Sequence, residues 1–173
     1  MKQWFILTVA GKNQPGIVAG LSGALYHAGA NFGEVSMAQI GGNFAIMLMA
    51  ETEADEATLR RRLEPLAERM QLHVQIDRIE GRPHRRAEPN VRIAVHGADR
   101  PGIVAQVSAA LTCAGLNILD LDSAVGGTPD KPVYIMVIDG DAPGGVESIA
   151  RALEPIRLSG IEAQPAAIDP RVG

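Results

Sequence analysis

Two short segments of this chain combine residue types that can hold a small charged molecule. Asn13-Gln14-Pro15-Gly16-Ile17-Val18 returns 86 residues later as Asp99-Arg100-Pro101-Gly102-Ile103-Val104, and each precedes an apolar stretch with helical spacing. Proline at about the first helical position sacrifices no hydrogen bond, and the glycine after it leaves the backbone open to close approach. Free N–H groups at a helix start, at the positive end of the helix dipole, suit a carboxylate. Asp99 can take an ammonium group in a charge-assisted hydrogen bond. A free α-amino acid carries both groups. Asn13 and Asp99 are equally the residue types preferred as helix caps, so the segments alone leave a ligand role and a capping role open.

Other candidates carry less chemistry. His27, His73, His84 and His96 stand singly, with no i, i+4 pair and no neighbouring cysteine, so no metal site is expected. His96, beside the second turn, reads as a strand-end residue. Ser22 and Ser108 fall on predicted helices without a base at useful spacing and read as packing residues. Gly41-Gly42 and Gly126-Gly127 lack the flanks of a phosphate-binding loop and read as hairpin turns. Cys113, the single cysteine, excludes an internal disulfide and a multi-cysteine zinc site; its helical setting predicts a small buried apolar residue. No nucleophile, base and orienting group converge, so neither catalysis nor a cofactor is expected.

The elements that position the two turns come in duplicate. Between Gly11–Asn31 and Gly97–Asn117, 12 of 21 aligned positions are identical. Leu63-Glu64-Pro65 returns as Leu153-Glu154-Pro155 at an offset of 90, which places about four extra residues near Gly126–Pro132. Each copy reads strand, helix, strand, strand, helix, strand. In the first, Trp4–Val9 is β-rich, Val18, Leu21, Leu25 and Ala28 recur at helical spacing, and Gly29 closes the helix. Phe32–Ile40 and Phe44–Ala50 predict a hairpin about Gly41-Gly42-Asn43. Thr52–Asp55 resembles a capping box before a helix carrying Leu59, Leu63, Leu66 and Met70, and Leu72, Val74 and Ile76 alternate as a last strand. The second copy repeats this with Val91–Val95, Val104–Ala114, Ile118–Val125, Val133–Ile138, Val146–Leu158 and Ile161–Ile168. Pro65 and Pro155 predict a bend in both second helices.

This order predicts an α+β chain of two ferredoxin-like βαββαβ modules, 1–80 and 90–169, joined by a linker at 81–89. The linker holds the basic cluster Arg82, His84, Arg85 and Arg86, read as solvated. The opposite face of the second sheet is partly apolar, so packing of module on module or of dimer on dimer is expected.

Composition sets the class. With 46% hydrophobic and 21% charged residues the chain has the make-up of a soluble globular protein. A net charge of −4 offers no field for nucleic acid, and direct binding to it is not expected. RNA-binding modules share the topology, but their sheets carry stacking aromatics, and six aromatic residues in the whole chain do not supply that pattern. No apolar run approaches a bilayer span, and the first residues are too short and β-like for a signal peptide, so a cytoplasmic protein without a membrane partner is expected.

The paired D/N-x-P-G-I-V segments, the trailing A-G-x-N and the βαββαβ order resemble the ACT domain family, regulatory modules that commonly bind amino acids between paired domains. Two such modules filling nearly the whole chain are similar to the glycine cleavage system transcriptional repressor group. The resemblance covers about residues 3–79 and 90–168. It implies a ligand loop at Asn13, Gln14, Gly16, Ile17 and Val18 and another at Asp99, Arg100, Gly102, Ile103 and Val104, with Asn31 and Asn117 facing them at the entry to each second strand. Asn13 departs from the family's acidic position and cannot pair with an ammonium, so the loop holding Asp99 is expected to bind the tighter ligand. The resemblance also implies a homodimer that controls transcription through a DNA-binding regulator, or alternatively serves the catalytic subunit of an amino-acid biosynthetic enzyme.

Overall fold

The computed structural model describes residues 1–80, 87–128 and 130–168. Arg82, His84, Arg85 and Arg86 lie outside the described residues. The chain divides into two compact units, Met1–His84 and Arg85–Gly173, and each repeats one architecture.

The first unit runs β1 (Gln3–Lys12), α1 (Ile17–His27), β2 (Asn31–Ile40), β3 (Asn43–Thr52), α2 (Glu56–Met70) and β4 (His73–Ile79). Its sheet is antiparallel in the order β2-β3-β1-β4. Alternation does the sorting. Phe5, Leu7 and Val9 of β1 and Phe44, Ile46, Leu48 and Ala50 of β3 are buried on one face, with Leu21 and Leu25 of α1 and Leu59 and Leu63 of α2. Burying side chains of this size contributes roughly 1.5–3 kcal/mol each. Gly41 and Gly42 turn β2 into β3 with φ of 55° and 78°, the left-handed pair that a two-residue hairpin requires.

The second unit runs β5 (Val91–Ala98), α3 (Ile103–Cys113), β6 (Asn117–Thr128), β7 (Lys131–Asp141), α4 (Gly145–Ala152), α5 (Glu154–Leu158) and β8 (Glu162–Ala167). The sheet order is β6-β7-β5-β8. Its core gathers Val91, Ile93, Val95, Val107, Leu111, Met136, Ile138, Ile149 and Leu153. The extra residues of this copy lengthen the hairpin, with 12 and 11 residues in β6 and β7 against 10 and 10 in β2 and β3.

Several expectations need correction. Thr52 does not cap α2: it ends β3, is 1% exposed, and its hydroxyl donates to the Ala28 carbonyl while accepting from the Ala54 N–H. Asp55 is the cap, its carboxylate taking the Thr58 N–H at 2.9 Å. The two prolines act differently, since α2 runs unbroken through Pro65 whereas the matching helix divides before Pro155 into α4 and α5. Gly126 and Gly127 lie in β6, paired with Val133 and Pro132, rather than in the turn. Cys113 is exposed because Leu111 takes the inward position and two residues further on a helix points away.

Candidate functional site

Both candidate turns are held in place by backbone. The Asn13 N–H donates to the Gly42 carbonyl at 2.9 Å, and the Asp99 N–H donates to the Pro132 carbonyl at 3.3 Å, so each turn is tied to the hairpin of its own sheet. Gly16 and Gly102 adopt φ of 93° and 95° with ψ of −4° in both, the geometry of the third residue in a type II turn. Pro15 and Pro101 therefore occupy the second turn position, two residues earlier than the first helical position expected of them. The helices start at Ile17 and Ile103, and the Gly16 and Gly102 carbonyls accept from Gly20 and Gln106 at 2.8 and 2.9 Å.

This geometry closes the question of capping. Neither α1 nor α3 has a side-chain cap, so Asn13 and Asp99 do not cap. Both side chains are exposed and neither has a hydrogen bond or ion-pair partner among the described residues. Ile17 and Ile103 are 3% exposed and belong to the cores, which leaves only their backbone to meet a ligand. Val18 and Val104, 50% and 41% exposed, present their side chains beside the turns.

The structure brings some expected residues together and separates others. Asp99, Arg100, Gly102, Ile103 and Val104 line one hollow of about 370 Å³ with Pro101, Ala105 and Tyr134. Asn13 and Gln14 instead line a larger cleft of about 620 Å³ with Lys12, Asn43, Gln71 and His73; Gly16, Ile17 and Val18 are not among its walls. Gln14 also reaches α2, where its Nε2 donates to the carbonyl of Met70, the last residue of that helix, at 2.8 Å. Arg100 makes a longer version of that contact, Nη2 to the Ser159 carbonyl at 3.5 Å. These side chains brace the turns against the ends of the second helices.

Asn31 and Asn117 do not meet the turns of their own units. Asn31 pairs with Glu51, which pairs with Trp4, whereas the turn follows Lys12 at its pairing with Asn43. The eight-residue separation along β1 corresponds to roughly 27 Å. Asn117 pairs with Asp141 at the equivalent end of the second sheet.

Tyr134, Lys12, Asn43 and Gln71 escaped the sequence reading. A signal for Tyr134 existed: Gly11 pairs with Phe44 and Gly97 with Tyr134, so aligning the repeats at the turn shows a phenol where the first copy has a phenyl ring. The Ser108 hydroxyl serves its own helix, donating to the Val104 carbonyl at 2.7 Å. Among the described residues there is no cluster of three or more metal-ligating side chains and no helix long and apolar enough to cross a membrane.

Residues 3–77 match the family model described as ACT domain, so the first module is identified as an ACT domain. The second has the same order of elements and the same turn, and the chain is thus a tandem of ferredoxin-like modules. Among solved structures, one described as an unknown protein from Galdieria sulphuraria superposes with a TM-score of 0.82 at 24% identity, over 98% of this chain and 100% of the other. One described as a glycine cleavage system transcriptional repressor gives a TM-score of 0.72 at 15% identity, over 98% of this chain and 99% of the other. At these identities both show the fold. No curated protein matches the chain at a significant level.

Proposed function

We propose that this protein senses a free α-amino acid at the Asp99 turn and passes that state to a protein partner. One observation carries the reading: a carboxylate with no partner among the described residues stands at a hollow whose wall includes the first turn of α3. A ligand ammonium placed on Asp99 sets its α-carboxylate toward the N–H groups of that first turn, which lack partners within the helix. Tyr134 contributes a phenol that can donate or accept. A hollow of about 370 Å³ lies at the small end of ligand sites, which favours a small amino acid.

The role is regulatory. The ACT match of the first module and the likeness to a structure described as a transcriptional repressor support control of amino-acid metabolism, glycine included, through association with a DNA-binding regulator. The chain acts as a homodimer, a reading supported by β2, a ten-residue edge strand whose residues are all exposed. An edge of unpaired N–H and C=O groups is a template for another strand.

Thermal stability against the common amino acids tests the sensing role, because a ligand that binds the native state alone raises stability by about 2.7 kcal/mol at a hundred times its Kd. One or two small amino acids are expected to raise Tm. A panel in which none does so would overturn the proposal.

A further inference from the structure

The first turn carries a net positive charge where the second, with one acid and one base, is neutral. Lys12-Asn13-Gln14 stands where the second copy has Ala98-Asp99-Arg100. The polar lining of the cleft of about 620 Å³ beside it is Lys12, Asn13, Gln14, Asn43, Gln71 and His73, and no Asp or Glu stands in its walls. Lys12 is exposed and has no ion-pair partner among the described residues. Four carboxamides line the same cleft, each with two N–H donors, the Gln14 amide already bonded to the Met70 carbonyl.

A second observation comes from Gln71. It holds φ of 52° and is the one non-glycine residue with positive φ among the described residues. The same position after the second helix of the other unit is Gly160, at φ of 86°; the Leu72 N–H returns to Ala67 and the Ile161 N–H to Ile156 in the same pattern. Glycine occupies that conformation without steric cost and glutamine does not. A side chain kept in the unfavourable conformation, on the wall of a cleft, points to use of the side chain.

We propose that this cleft binds a small carboxylate that bears no ammonium group, held by Lys12 and the amides of Asn13 and Gln71. An ammonium would find no negative partner there and would face Lys12. The inference rests on the reading of these turns as ligand-facing, and it departs from it in assigning the two copies to different ligand classes.

Calorimetric titration of the Asp99→Asn protein tests it, since that substitution removes the carboxylate that would hold an ammonium at the second turn. Succinate and aspartate are the probes, differing by one ammonium, with inorganic phosphate as a third. Succinate is expected to bind, and aspartate at least about tenfold more weakly. Adding Lys12→Gln, on an exposed side chain, should weaken succinate by about tenfold or more. Gln71→Gly should raise Tm while weakening succinate, a pairing that a merely structural glutamine would not give. Absence of succinate binding, or binding unchanged by Lys12→Gln, would overturn the proposal; phosphate bound as tightly as succinate would overturn the carboxylate class. Failure of the amino-acid reading shows separately, as a wild-type protein that responds to amino acids no more than Asp99→Asn does.

Discussion

Gly102 shows how single residues set the site. Its φ of 95° turns the chain from Pro101 into α3, whose first turn lines the hollow. A Cβ there would meet only the Gln106 Nε2 at 3.5 Å, and at Gly16 nothing within 4 Å, so the cost of alanine is in the backbone. That cost is about 1–2 kcal/mol. Gly102→Ala should lose about that much stability in urea unfolding, with a weakened response to the amino acid; unchanged stability would show that the turn relaxes freely. The need for glycine was legible in the Pro-Gly pair. The destination of Gln14 was not, because its acceptor, Met70, lies 56 residues away and is placed by tertiary packing. Asn31 and Asn117 were placed near the turns by family resemblance, and the strand register moves them to the far end of each sheet.

Elements were legible where the signal is local. The alternation of Phe5, Leu7 and Val9 and the helical spacing of Leu59, Leu63 and Leu66 each predict a buried face, and each is buried. Proline was harder to read. In the second unit the Arg157 guanidinium donates to the carbonyls of Ala150 and Ala163 at 3.2 and 2.8 Å, supplying donors where the helix breaks, whereas the first copy has Ala67 at that place and α2 stays continuous. The sheets also diverge: Arg92 bonds Asp139 through both carboxylate oxygens at 2.7 and 2.6 Å, where the first sheet pairs Ile6 with Met49. The hydrogen bonds from Arg92 hold the Asp139 carboxyl below the usual carboxylate range. Its charged form therefore favours the folded state, fully above the unfolded carboxylate pKa of about 3.9 and progressively less as pH falls through the folded value. The urea midpoint of the second unit should drop on acidification, and Asp139→Asn should flatten that dependence; an equally steep loss in the variant would assign the acid sensitivity elsewhere.

For the whole molecule, duplication supplies two modules and divergence gives them different surfaces. Along β2, Val35 and Met37 are 48% and 57% exposed beyond the irregularity between Phe32 and Val35, a stretch of edge that soluble chains tend to cover. Antiparallel pairing of two copies about Ser36 sets Val35 against the partner's Met37, on one face of a continuous sheet. Met37→Lys should convert a dimer to a monomer in sedimentation, and a wild-type chain that sediments as a monomer would remove this interface. The partner's identity was never legible in the residues, since nothing local encodes it. The sensing role turns on one charge. Calorimetric titration of the amino acid found in the stability panel into Asp99→Asn, which keeps shape and loses charge, tests it most directly. Binding weakened by about tenfold or more is expected for loss of a charge-assisted hydrogen bond, and affinity equal to that of the wild-type protein would contradict the assignment.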